Sequence, residues 1–93
     1  MSIVSFRCRD TAALFDGTRV PRFRSIETVA MRKLAMLHRV QRVDELRIPP
    51  SDRLEALQGD RKGHWSIRIN DQWRLCFRFE EGRALDVEIV DYH

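Results

Sequence analysis

Ninety-three residues give room for one domain, residues 1–93, at the usual scale of about 100 residues per domain, and exclude large multidomain and nucleotide-fold enzymes. Hydrophobic residues make up 43% and charged residues 33%, the composition of a folded chain, and no apolar run approaches the ~20 residues needed to cross a membrane. The formal charge is +3, carried by 15 arginines and two lysines, Lys33 and Lys62; it favours an anionic partner without locating the chemistry.

Ile3 to Phe6 reads as a short first strand. Asp10 or Thr11 caps a brief helix over 12–15 that Gly17 ends. Residues 18–24 form a basic loop around Pro21. From Ile26 to about Val43 the apolar residues Ile26, Val29, Ala30, Leu34, Leu37 and Val40 recur at helical spacing, with Ser25 as N-cap and Glu27 in the first turn. Arg32, Lys33, Arg39 and Arg42 take the other faces. Pro49-Pro50 forbids continuation.

The period then changes from helical to two. Trp65, Ile67 and Ile69 alternate with polar residues; so do Trp73, Leu75, Phe77 and Phe79, and then Leu85, Val87 and Ile89. Three strands follow, preceded by a strand near 53–58 and a longer turn over 59–63. The fold class is α+β: two N-terminal helices packed on one face of a small, mostly antiparallel curved sheet, the other face open.

Opposed residues in a hairpin point to the same side. A three-residue loop over 70–72 therefore opposes Trp65, Ile67 and Ile69 to Phe77, Leu75 and Trp73. The polar face then pairs Arg68 with Arg74, Ser66 with Cys76 and His64 with Arg78. A three-residue loop over 81–83 sets Phe77 opposite Val87, Leu75 opposite Ile89, Arg78 opposite Asp86 and Arg74 opposite Val90, with Tyr92 diagonal to Arg74. Two opposed arginines cost stability unless an anion lies between them. A phosphate resolves that cost, and so does a protein carboxylate, with Glu88 the candidate. Otherwise the arginines splay into solvent.

Residues 1–47 carry ten cations and five anions, and 48–93 seven and nine. This basic first half, with the stretch Arg19 to Arg24, suggests an anionic partner such as nucleic acid, against plain solvation. Cys8 and Cys76 lack CxxC spacing, and His38, His64 and His93 form no ligand pattern. No disulfide scaffold, metal site or cofactor is expected. Arginines beside Cys76 would lower its pKa. The opening residues hold no apolar signal stretch, so a cytoplasmic location is the expectation. The closing Asp91-Tyr92-His93 places three proton-transfer groups in a row.

Three blocks are recognisable: Leu57-Gln58-Gly59-Asp60-Arg61-Lys62-Gly63, Asn70-Asp71-Gln72-Trp73-Arg74, and the terminal Asp91-Tyr92-His93. With them the chain resembles the HigB branch of the RelE/ParE toxin superfamily over essentially its whole length. The resemblance implies a toxin of a bacterial type II toxin–antitoxin pair, acting in the ribosomal A site as a metal-independent ribonuclease that cuts mRNA and inhibits translation. The substrate's own 2′-hydroxyl would attack the adjacent phosphate. It implies a HigA-type helix-turn-helix antitoxin as partner, an operon repressed through operator DNA that only the complex binds, and no membrane. Arg74 matches the family arginine that stabilises charge on the phosphate, and Asp91, Tyr92 and His93 match its acid–base group. Glu55 and Gln58 stand where better-known members have a histidine and a lysine. Glutamine neither takes a proton nor neutralises a phosphate, so Arg61, Lys62 and Arg68 are the candidates for substrate binding. A gyrase inhibitor of the ParE kind, and a non-toxic co-repressor of the antitoxin, are the alternatives.

Overall fold

The computed structural model describes residues 2–61 and 63–92. Helix α1 spans Arg9–Phe15 and α2 Glu27–Arg39; the strands are β1 Glu55–Ala56, β2 His64–Arg68, β3 Trp73–Glu80 and β4 Arg83–Asp91. The sheet is antiparallel in the order β1-β2-β3-β4. Leu14, Phe23, Leu34, Leu37 and Leu46 bury against Ile67, Leu75, Phe77 and Val87. The helices thus lie on one face, as the α+β reading requires.

The first hairpin has the register derived from sequence, from His64↔Arg78 through Ser66↔Cys76 to Arg68↔Arg74. Asn70 Oδ1 closes the loop by accepting from the Gln72 and Trp73 N–H groups, both at 2.8 Å, the habit that suits asparagine to turns.

The second hairpin differs. Its turn is the two residues Glu81-Gly82 between Glu80 and Arg83, with positive φ at both (51° and 77°). A two-residue turn of this hand matches the twist of its strands. The missing loop residue returns as a bulge: Arg78 pairs Leu85, Cys76 pairs Glu88, and Asp86 sits at φ 53°. Beyond the bulge, Leu75↔Ile89 and Arg74↔Val90 hold as derived. Before it, Ala84 rather than Leu85 is buried. Arg78 Nε still reaches Asp86 Oδ2 at 2.9 Å.

The N-terminal segment is not a full strand. Ile3 and Phe6 make two isolated parallel bridges to Ala84 and Val87. Opposite the bulge the ladder is broken, and Ser5 Oγ takes the Asp86 N–H at 2.9 Å.

The helices also depart from their expected bounds. α1 begins after Cys8, with Asp10 inside its first turn and paired to Arg22 at 3.3 Å. Ser25 is no cap, because a 3-10 turn over Pro21–Ile26 runs straight into α2. α2 stops at Arg39, since buried Val40 turns extended, and Glu45 Oε1 takes the Gln41 and Arg42 N–H groups at 3.1 and 2.9 Å. Lys33 lies on the buried face of α2, ion-paired to Asp52, which is fully buried. Among the described residues no helix is long and apolar enough to cross a membrane.

Candidate active site

The open face of the sheet carries one row across all four strands, Glu55↔Ser66↔Cys76↔Glu88. The next row is Arg68↔Arg74↔Val90. Arg74 is the best-held group on this face. Its Nε donates to Ser66 Oγ at 3.0 Å, and its Nη2 donates to the Arg53 carbonyl at 2.7 Å. Glu55 Oε1 stands 3.3 Å from Nη1. Arg53 has φ 48° and ψ 59°, a sparsely populated conformation for a residue with a side chain. Its strained carbonyl serves the cradle of Arg74, as strain often does at functional sites.

Arg68 and Arg74, though opposed, each have a carboxylate: Arg68 pairs with Asp71 and Arg74 with Glu55. Glu88, the expected mediator, instead accepts from Arg61 Nη2 at 2.7 Å and stands 4.0 Å from Arg7. A β2–β3 loop that returns Asp71 toward Arg68, and a strand β1 that brings Glu55 beside Ser66, supply the anions locally.

Tyr92 completes the group. Its ring centroid lies 5.7 Å from Arg74 Cζ, its N–H donates to the Gln72 carbonyl at 2.7 Å, and its hydroxyl is 4.0 Å from Cys76 Sγ. Burial raises the Tyr92 pKa, and Cys76 adds to the rise, while Arg61 and Arg74 oppose it. The phenol is therefore a neutral O–H donor at ordinary pH. The Cys76 pKa is also raised, by its burial, against the pull of the Tyr92 hydroxyl, Arg61 and Arg74. The lowering expected from its arginine neighbours is overturned, because desolvation of a thiolate outweighs them.

The remaining candidates are placed as follows. Asp91 pairs with Trp73, on the helix-facing side by strand alternation, and accepts from Gln72 Nε2 at 3.1 Å. Gln58 is exposed, and its carbonyl accepts from the Arg61 N–H at 3.3 Å. Lys62 and His93 lie outside the described residues. The structure thus brings together Arg74, Glu55 and Tyr92, with Arg61 next along the face. Ser66 and the Arg53 carbonyl, neither of them a candidate from the sequence, hold Arg74; the diagonal placement of Ser66 in the derived register is the signal available for it. Among the described residues no cluster of three or more His, Cys, Asp and Glu is set to hold a metal.

The family model for the RelE-like toxin of type II toxin-antitoxin system HigB matches residues 15–93. The chain belongs to the HigB-like toxin family. Among its relatives, Toxin HigB-1 of Vibrio cholerae serotype O1 is 48% identical over 62 residues, 67% of this chain and 65% of that protein. Endoribonuclease HigB of Proteus vulgaris is 44% identical over 41 residues, 44% of this chain and 45% of that protein. The chain thus spans about two thirds and under half, respectively, of these relatives' lengths. A solved YoeB/ParE toxin from Agrobacterium tumefaciens superposes with a TM-score of 0.53 at 18% identity, covering 97% of this chain and 99% of that one. That likeness shows the fold, which is RelE/ParE-like. This HigB-like toxin carries its arginine–tyrosine pair, Arg74 largely covered and Tyr92 exposed, on the face that its two helices leave open.

Proposed function

We propose that this HigB-like toxin is a ribosome-dependent, metal-independent endoribonuclease that cuts mRNA in the A site and so stops translation in the cytoplasm. The observation that carries the reading is the cradle of Arg74, held by Ser66 and Arg53 on an open sheet face beneath the Tyr92 ring. Fixed donors aimed where charge develops are commonly the largest catalytic contribution. The name of the Proteus relative supports the same activity.

In the reaction the substrate's 2′-oxygen attacks the adjacent phosphorus and the bond to the 5′-oxygen breaks. Glu55, 3.3 Å from Arg74, takes the 2′-hydroxyl proton in the place where better-known family members have a histidine. Arg74 binds the charge on the phosphoryl oxygens. Tyr92, a neutral phenol whose pKa partial burial raises further, gives its proton to the departing 5′-oxygen. Arg61 supplies the positive charge that Gln58 lacks, and Arg68 stands opposite Arg74; Lys62 for substrate binding and His93 for proton transfer complete the proposal from the sequence. Asp91 anchors the tail through Gln72. The partner is a HigA-type helix-turn-helix antitoxin, whose complex with the toxin represses the operon.

The test is primer extension on mRNA from cells expressing the chain. Cuts within translated codons are the expected result. Double-strand DNA breaks with an SOS response and intact mRNA would instead make it a gyrase inhibitor, and growth unaffected at any dose would make it a co-repressor only.

A further inference from the structure

One row along the open face from Arg74 lies a concavity. Its volume is about 280 Å³, and Arg7, Asp60, Arg61, His64 and Glu88 line it. The register fixes its position: Glu88 pairs with Cys76, whose thiol reaches the Tyr92 hydroxyl at 4.0 Å. Same-face neighbours on a strand stand roughly 6–7 Å apart, at 3.2–3.4 Å per residue. The pocket and the Arg74–Tyr92 pair are therefore within the reach of a single nucleotide.

The two sites differ in chemistry. The pocket's guanidinium groups only donate and its carboxylates only accept, and their formal charges cancel. Arg61 Nη2 donates to Glu88 Oε1 at 2.7 Å, with Arg7 at 4.0 Å from the same oxygen. A second phosphate would meet Asp60 and Glu88. A nucleobase is neutral and carries donors and acceptors along its edges, which complements such a lining. Arg61 Nε and His64 Nδ1 are buried without a hydrogen-bond partner among the described residues, a state that native structures seldom leave unexplained. Imidazole rings and guanidinium planes are also the surfaces on which unstacked RNA bases settle.

We infer that this pocket is a nucleobase subsite: it takes the base adjoining the cleaved bond of single-stranded RNA, and Asp60, His64 and Glu88 set which base is accepted. The inference rests on the ribonuclease reading and gives codon preference a place that Arg74 does not touch. A site built of polar groups discriminates because the wrong base leaves them unpaired.

The test uses wild type, Asp60→Asn and His64→Gln on ribosomes programmed with mRNAs whose A-site codons differ by one base at a time. Asp60 is exposed, so Asp60→Asn keeps the test open should His64→Gln fail to fold. The expected result is a wild-type preference at one codon position that shrinks by about tenfold in the variants, with a smaller loss on the best codon. Equal losses on every codon, an unchanged preference, or a wild type indifferent to the base would overturn the subsite. A wild type that cuts no codon would overturn the ribonuclease reading instead. The subsite then stands or falls on NMR titration of the toxin with trinucleotide RNAs: shifts of the His64 ring signals that depend on the base support it, and uniform or absent shifts refute it.

Discussion

Arg74 Nε donates to Ser66 Oγ at 3.0 Å across one diagonal of the β2–β3 ladder. Ser66 is only 1% exposed, so its hydroxyl is fixed and the guanidinium plane is set before any substrate arrives. Hydrogen bonds to charged groups contribute about 1.5–3 kcal/mol, but Arg74 keeps the Arg53 carbonyl and Glu55. Ser66→Ala is expected to slow single-turnover cleavage about tenfold, near the lower bound of that range, and to leave the fold intact. An unchanged rate would show that Ser66 does not orient Arg74.

Glu55 is placed to take a proton and also to oppose the phosphate, with its side chain 60% exposed beside Arg74. Glu55→Gln removes both effects. Loss of a general base lowers the rate by roughly 10²–10⁴, whereas an RNA whose 2′-hydroxyl is methylated should bind more tightly to the variant. Tighter binding with undiminished cleavage would leave Glu55 as a mere counter-ion.

Burial raises the pKa values of Cys76 and Tyr92 above the ordinary 9.0 and 10.0. The folded state therefore keeps its protons where the unfolded chain has lost them. The associated stability is whole below pH 9 and is lost as pH rises through the folded-state values. The thermal midpoint should fall from pH 9 upward, less steeply in Cys76→Ala. A midpoint that rises across that window would contradict the assignment. At pH 8 iodoacetamide should spare Cys76 in the folded toxin, as read by mass spectrometry.

Lys33 and Asp52 form a buried pair between α2 and the turn at Pro50–Asp52. Removing one partner strands a charge in the core, a loss of about 3–5 kcal/mol. Lys33→Met should lower the urea midpoint accordingly, and Lys33→Met with Asp52→Asn should recover part of it. Additive losses would mean the two side chains do not interact.

Lys33 also marks a limit of sequence reading. Helical spacing places this cation on a face other than the apolar one, because its partner Asp52 is 19 residues away and carries no local signal. Alternation sufficed for the β2–β3 register, since both strands keep strict period two and Asn70 signals the loop. It misplaced the β4 turn. One residue moved from loop to bulge at Asp86 leaves the apolar pattern of Leu85, Val87 and Ile89 unchanged while exchanging which of Ala84 and Leu85 is buried. Arg74 and Tyr92 were legible as neighbours from that same register. The side on which Asp91 falls depends on the parity of β4. The register sets Ser66 diagonal to Arg74, but it does not say that the guanidinium folds back onto that hydroxyl.

The most direct measurement is single-turnover cleavage of an A-site codon on programmed ribosomes by wild type, Arg74→Ala and Arg74→Lys, with ribosome binding measured alongside. The expected result is a loss of roughly 10²–10³ in rate for Arg74→Ala with binding retained. Lysine should not rescue the rate, because it cannot reproduce the planar fork that Ser66 and Arg53 hold. A folded, ribosome-bound Arg74→Ala that cuts at the wild-type rate would remove Arg74 from the chemistry.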